Sequence, residues 1–99
     1  MNRPFYSEYV RHMLRFYTRN VTRPSFKSEV DKTNWYACLN VVKDYSDRDS
    51  DIIALVYGSH DTLSDNVYET AKKYSINQAI IWDMMKDLER KIARKRGLI

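Results

Sequence analysis

One cysteine, two prolines and two glycines are all that the 99 residues contain of the types that staple, break or sharply turn a chain. The lone Cys38 can form no internal disulfide, which excludes a stapled extracellular scaffold and suits a reducing cytosol. Pro4 and Pro24 both lie near the start, and Gly58 and Gly97 stand where helices would end. Nothing interrupts the long stretches between them, so the chain reads as all-α with about five helices. No apolar run approaches a membrane span. Arginines recur through the first twenty residues, which leaves no signal-peptide core. A cytoplasmic location without membrane attachment is expected.

Catalytic and metal motifs are also missing. There is no glycine-rich phosphate loop and no Ser/His/Asp grouping, so neither an enzyme nor a cofactor is expected. His12, Cys38 and His60 lie far apart without ligand spacing, so no metal site is expected. The run Asp47-Arg48-Asp49-Ser50-Asp51 looks like the start of a calcium loop. Such a loop needs Gly at its sixth position and Glu at its twelfth, and Ile52 and Gly58 stand there.

What is present is a hydrophobic fraction of 43%, sufficient for one core, in a length that fits one domain. The charge is unevenly spread. Residues 1–27 carry +5, residues 28–85 carry −5 and residues 86–99 carry +4. Two basic ends around an acidic waist suit a polyanion partner, although solvated helix faces give the same pattern.

Helical periodicity places five elements. The first runs from Phe5 to Arg19, with Tyr6, Val10, Met13 and Tyr17 on one face, widened by Phe5, Tyr9 and Phe16. Arg11, Arg15 and Arg19 recur every four residues as a basic ridge on another face. Residues 20–25 form a loop around Pro24. The second helix starts at Ser28, in a capping-box-like Ser-Glu-Val-Asp, and reaches Tyr45, with Val30, Trp35, Cys38, Leu39 and Val42 inward. Ser46 caps a third, which carries Asp47 and Asp49 in its first turn, Ile52, Ile53, Val56 and Tyr57 on its apolar face, and Gly58 at its end. A loop over 59–66 leads to a short fourth helix from about Asp65 to Tyr74, with Val67, Ala71 and Tyr74 inward. The fifth spans about Asn77 to Arg96, roughly 30 Å at 1.5 Å per residue, with Ile81, Met84, Met85, Leu88 and Ile92 inward. The eight tyrosines mostly fall on inward stripes and read as packing surface, as does Cys38.

A short helix, a turn of about three residues (Ser75 to Asn77) and a longer helix suggest a helix-turn-helix, whose second helix can enter a major groove. Three parts follow within the single helical domain 1–99: a basic N-terminal helix and loop over 1–27, a packing helix over 28–45 and a helix-turn-helix unit over 46–96.

Within 46–96 the residues resemble region 4 of sigma-70-type RNA polymerase sigma factors. Ser46-Asp47-Arg48 stands at the entry, Ile52-Ile53 supplies an aliphatic pair, and Val56-Tyr57-Gly58 supplies a Tyr-Gly stop. Ala71-Lys72-Lys73-Tyr74-Ser75-Ile76 resembles the approach to the turn, and Lys86, Arg90 and Lys91 resemble basic positions late in the recognition helix. Ser75 replaces the family's turn glycine, Thr70 an aliphatic residue, and Trp82 and Asp83 stand on a helix front that is usually rich in Arg, Glu and Gln. Residues 1–27 find no counterpart. The resemblance implies a compact bacterial, sigma-like transcription regulator of phage or mobile-element type. In that family region 4 touches promoter DNA and the flap of the polymerase β subunit, so duplex DNA and RNA polymerase are the implied partners.

The residues expected at DNA are Asn77 and Gln78 on base edges, whose amides suit adenine, with Lys72, Lys73, Lys86, Arg90 and Arg94 on phosphates. Lys95 and Arg96 add charge to the same helix end, where cations also suit the helix dipole. Ile80, Trp82, Arg11, Arg15 and Arg19 are expected as a protein interface. For Trp82 the competing reading is packing against the first helix, and for the arginines it is pairing with the acids of the waist. Two other functions share the pattern. One is a protein-interaction module that keeps the scaffold and holds polymerase or a second copy of itself without DNA. The other is a phage DNA-packaging adaptor.

Overall fold

The computed structural model describes residues 3–99 and is all-helical, with five helices and no strand among the described residues. They are α1 (Ser7–Arg19), α2 (Glu29–Val42), α3 (Asp47–Gly58), α4 (Leu63–Tyr74) and α5 (Gln78–Lys95).

Small polar residues set the helix starts. Ser28 Oγ accepts from the Asp31 amide at 3.2 Å, Ser46 Oγ from Asp49 at 3.1 Å and Thr62 Oγ1 from Asp65 at 3.2 Å. Each satisfies a first-turn donor that the helix cannot, and an acid stands in each first turn, where the dipole favours it. The acidic run 47–51 is therefore the opening turn of α3 rather than an ion loop.

The observed boundaries differ from expectation in three places. The first helix begins at Ser7, because the Ser7 amide bonds back to the Pro4 carbonyl in a separate turn. Phe5 lies outside the helix, 80% exposed, with its ring in a T-shaped pair with Tyr6. The second helix ends at Val42, where bonds from Asp44 to Val41 and from Tyr45 to Val42 tighten the chain into a turn. Val30 is exposed rather than inward. The fourth helix begins two residues earlier than Asp65, since Thr62 is its cap and the loop is correspondingly shorter.

Gly58 is the last residue of α3 but has no left-handed conformation; only Gly97 does among the glycines. Its role is proximity. A Cβ at Gly58 would meet Thr18 Oγ1 at 3.1 Å, so α1 passes close overhead. The free carbonyls at the α3 terminus are taken by side chains instead. The buried Asn66 amide donates to Val56 O at 2.9 Å and Ser59 O at 3.2 Å, and Arg19 Nε donates to Gly58 O at 3.3 Å.

The N-terminal helix is the hub of the fold. α1 packs on α2, α3 and α5, while α4 bridges α3 and α5. Val10, Met13 and Leu14 of α1, Ile52 and Val56 of α3, Val67 of α4, and Ile81, Leu88 and Ile92 of α5 are almost fully buried together. A radius of gyration of 13.0 Å matches a globule of this length with α1 folded in. Tyr17, Phe26 and Trp35 form an aromatic cluster at the α1–α2 end, with ring centroids 5.3 and 5.8 Å from Trp35.

Two polar clips cross the core. Glu89 Oε2 on α5 accepts from Arg11 Nε at 2.9 Å and from Tyr57 Oη at 2.6 Å. Asn34 on α2 accepts from Arg96 Nε at 2.6 Å and donates to Tyr9 Oη at 3.1 Å. Tyr9 thus serves as an exposed polar link rather than part of the apolar stripe.

Candidate nucleic-acid interface

The turn between α4 and α5 is built by backbone hydrogen bonds. Ser75 adopts a left-handed conformation, with φ 54° and ψ 44°. The Ile76 amide donates to Ala71 O at 3.0 Å and the Ser75 amide to Lys72 O at 3.3 Å. This paired pattern closes a helix through one left-handed residue. Ser75 fills the glycine's role at a steric cost. Ala71 is buried, and Ile76 packs on the core beneath the turn. Thr70 is also buried.

Asn77 then caps α5, its Oδ1 accepting from the Ala79 amide at 2.8 Å. A bidentate adenine contact needs both the amide oxygen and the amide nitrogen. With its oxygen held in the cap, Asn77 keeps only the nitrogen, and Gln78 is the exposed amide free for both. Tyr68, 52% exposed on α4, stands with Lys72 and Gln78 around a depression of about 430 Å³ at this turn. Sequence reasoning assigned the tyrosines to packing and missed it. Its i−4 relation to Lys72, outside the Val67–Ala71 apolar face, was the available signal.

Along α5 the exposed face carries Ala79, Asp83, Lys86, Arg90 and Arg94. The three cations recur every four residues and form one line. Lys86 and Arg94 have no ion-pair partner among the described residues. Arg90 is held by Asp87 at 2.9 Å, and Lys91 by the same carboxylate at 2.9 Å. Those hydrogen bonds, from Lys91 first, hold the Asp87 carboxyl below its ordinary range. On α4, Lys72 is exposed, and Lys73 stands 4.0 Å from Asp51 and over the ring of Tyr74.

The residues expected at a protein interface separate. Ile80 is half exposed on the outer side of α5, whereas Trp82 is partly buried against the core. The arginine ridge is largely used within the fold. Arg11 pairs with Glu89, and Arg19 ties to the α3 terminus and to His60 Nδ1 at 3.2 Å. Arg15 alone of the three is exposed and unbonded among the described residues. Arg11's partner lies on α5, not in the acidic waist. Glu89 itself was not singled out from sequence. The signal was present, since Ile81, Met85 and Glu89 share one helical face at four-residue spacing.

Among the described residues, no three His, Cys, Asp or Glu side chains gather as metal ligands, and no helix is long and apolar enough to cross a membrane. Cys38 is buried, and burial pushes its thiol up to about 12. No family model matches the chain, and neither a curated protein nor a solved structure does so.

Proposed function

We propose that the chain is a bacterial, sigma-like DNA-binding transcription regulator, which lays α5 against duplex DNA. The observation that carries this reading is the exposed line Lys86–Arg90–Arg94 on a helix entered through a three-residue turn. Gln78 reads base edges at the start of α5, Asn77 offers its amide nitrogen, and Lys72 and Lys73 contact phosphates from α4. RNA polymerase is the second partner that the region 4 resemblance implies. The test is fluorescence anisotropy of the chain with a mixed-sequence duplex across a salt series. About five phosphate contacts give a log–log slope near −4 to −5. Replacing Lys86 and Arg90 together by Glu abolishes binding while the helical circular-dichroism signal is kept. Retained affinity in that variant rejects the site.

A second reading rests on Ile80, an exposed aliphatic residue three positions before Asp83 on the outer side of α5. A protein-interaction surface there, for polymerase or for a second copy of the chain, explains an apolar residue and an acid that phosphate contact does not require. Sedimentation at two protein concentrations, with Ile80→Lys as the comparison, separates self-association from DNA binding.

A further inference from the structure

One cavity reaches the edge of the exposed α5 face at Lys86. It measures about 550 Å³, within the range of small-ligand sites, and opens between the start of α1, the start of α4 and the middle of α5. One wall is apolar, made by Tyr6, Trp82, Met85 and Leu63. The remainder is polar and mostly cationic, with Arg3, Arg11 and Lys86 against the single carboxylate of Glu89.

Three sets of hydrogen-bonding groups face this space unused. The first-turn amides of Leu63 and Ser64 on α4 have no acceptor among the described residues, because Thr62 serves only Asp65 and Asn66. Ser7 is 2% exposed and lines the cavity, and its hydroxyl has no partner among the described residues. The Glu89 side chain is 4% exposed. Both of its hydrogen bonds fall on Oε2, and Oε1 accepts none among the described residues. Neither oxygen is fully enclosed, the fully enclosed unmatched atoms among the described residues being Trp35 Nε1 and Tyr45 Oη, so both open onto the cavity. A hydroxyl and a carboxylate oxygen of two buried side chains, without a protein partner and open to one cavity beside a helix N-terminus, point to a ligand.

We propose that this cavity binds a small aromatic anion, a ring carrying a phosphate or carboxylate. The anionic group takes the Leu63 and Ser64 amides at the positive end of α4, with Lys86 as counter-charge. The ring lies along Tyr6, Trp82 and Met85. Ser7 and Glu89 Oε1 receive polar substituents of the ring, with Glu89 favouring an N–H or O–H donor. Arg11 offsets the Glu89 charge and Arg3 pairs with Glu8, so Lys86 is the cation that leaves the site net positive. This inference does not rest on DNA binding, although a ligand that engages Lys86 would compete with phosphate for it.

Phenyl phosphate is the probe, with inorganic phosphate and phenol as its two halves. Binding is read by Trp82 fluorescence and by calorimetry. Trp82→Phe is expected to remove the fluorescence change while calorimetric binding persists, since the other tryptophan, Trp35, lies in the distant aromatic cluster. Phenyl phosphate is expected to bind saturably and at least about tenfold tighter than either half, the gain of one charge-assisted hydrogen bond over a bare ring. Ser64→Glu places a carboxylate where the ligand anion would sit, at an exposed position where an acid favours the helix. It is expected to weaken binding at least about tenfold with an unchanged melting curve. No saturable response to phenyl phosphate, equal binding of either half, or unaltered affinity in Ser64→Glu overturns the proposal.

Discussion

Arg11 on α1 and Glu89 on α5 are joined across the core, Nε to Oε2 at 2.9 Å, with the carboxylate 4% and the guanidinium 18% exposed. Removing one member of such a pair leaves a buried charge uncompensated, which costs about 3–5 kcal/mol. Arg11→Met is therefore expected to lower the urea-derived stability by that amount. The double variant Arg11→Met with Glu89→Leu is expected to recover most of the loss, because well-packed apolar residues replace a buried pair at little net cost. Arg15→Ala, on the exposed side of the same helix, is expected to stay within about 0.5 kcal/mol. Equal losses for Arg11 and Arg15 would show that the clip contributes nothing special.

At the turn, Ser75 holds φ 54° with a side chain that disfavours it. The left-handed conformation costs a non-glycine residue roughly 1–2 kcal/mol. Glycine removes that strain, offset in part by its greater freedom in the unfolded chain. Ser75→Gly is expected to raise stability by about 1 kcal/mol, measured as an upward shift in denaturation midpoint at unchanged slope. Gly97→Ala is expected to do the reverse at the end of α5. It sits at φ 81° with open space around it, so its cost is conformational alone.

These two positions show what could be read from the chain and what could not. Ser75 was singled out by the region 4 resemblance, as the stand-in for a turn glycine, whereas the caps at Ser28 and Ser46 and the apolar faces of the third and fifth helices were legible because capping and periodicity are local. Arg11 was not. Its spacing with Arg15 and Arg19 is that of a ridge facing a polyanion or the acids of the waist, and only the packing of α1 on α5 makes its partner a carboxylate outside the waist, 78 positions away. Gly58 was legible as a helix end but not as the point where Thr18 approaches, since that distance belongs to another helix. Asn77 was legible as the entry to the last helix, but its cap competes with the base contact proposed for it. The two basic helices, α1 and α5, both pack into the core. α1, which found no counterpart in the region 4 resemblance, is the helix that holds α2, α3 and α5 together.

Cys38 sits under α1 with no exposed surface, and burial raises its thiol from 9.0 to about 12. A disulfide reagent is expected to modify it only at the rate of opening, with acceleration in urea that tracks the unfolded fraction. The same burial makes a pH statement. The folded value is raised, so the contribution is fully present below 9.0 and is lost as pH rises toward 12. Across that window the loss is about 1.4 kcal/mol per pH unit. Tyr17 and Tyr57 are also raised by burial, Tyr57 further by the adjacent Glu89, and both add to the loss above 10.0. Cys38→Ala is thus expected to flatten the decline between pH 9 and 10 and to leave the steeper tyrosine part beyond it, as read by urea melts at each pH.

The strongest test of the α5 surface reverses the usual direction, asking for a gain. Asp87 accepts from both Arg90 and Lys91 at 2.9 Å, so one carboxylate holds two of the cations near the proposed phosphate line. It is exposed enough that these pairs add little to folding. Its lowered carboxyl pKa means that what stability they give is present at neutral pH and is lost only as pH falls through the folded value, below the ordinary 3.8. Asp87→Asn removes one negative charge and frees both cations. If Arg90 reaches phosphate, the variant binds duplex DNA several-fold more tightly at low salt. Its log–log salt slope steepens by about one, as an added phosphate contact requires. The melting temperature is expected to move little. An unchanged slope would place Arg90 and Lys91 outside the interface and leave Lys86 and Arg94 as the only cations of that face to carry it.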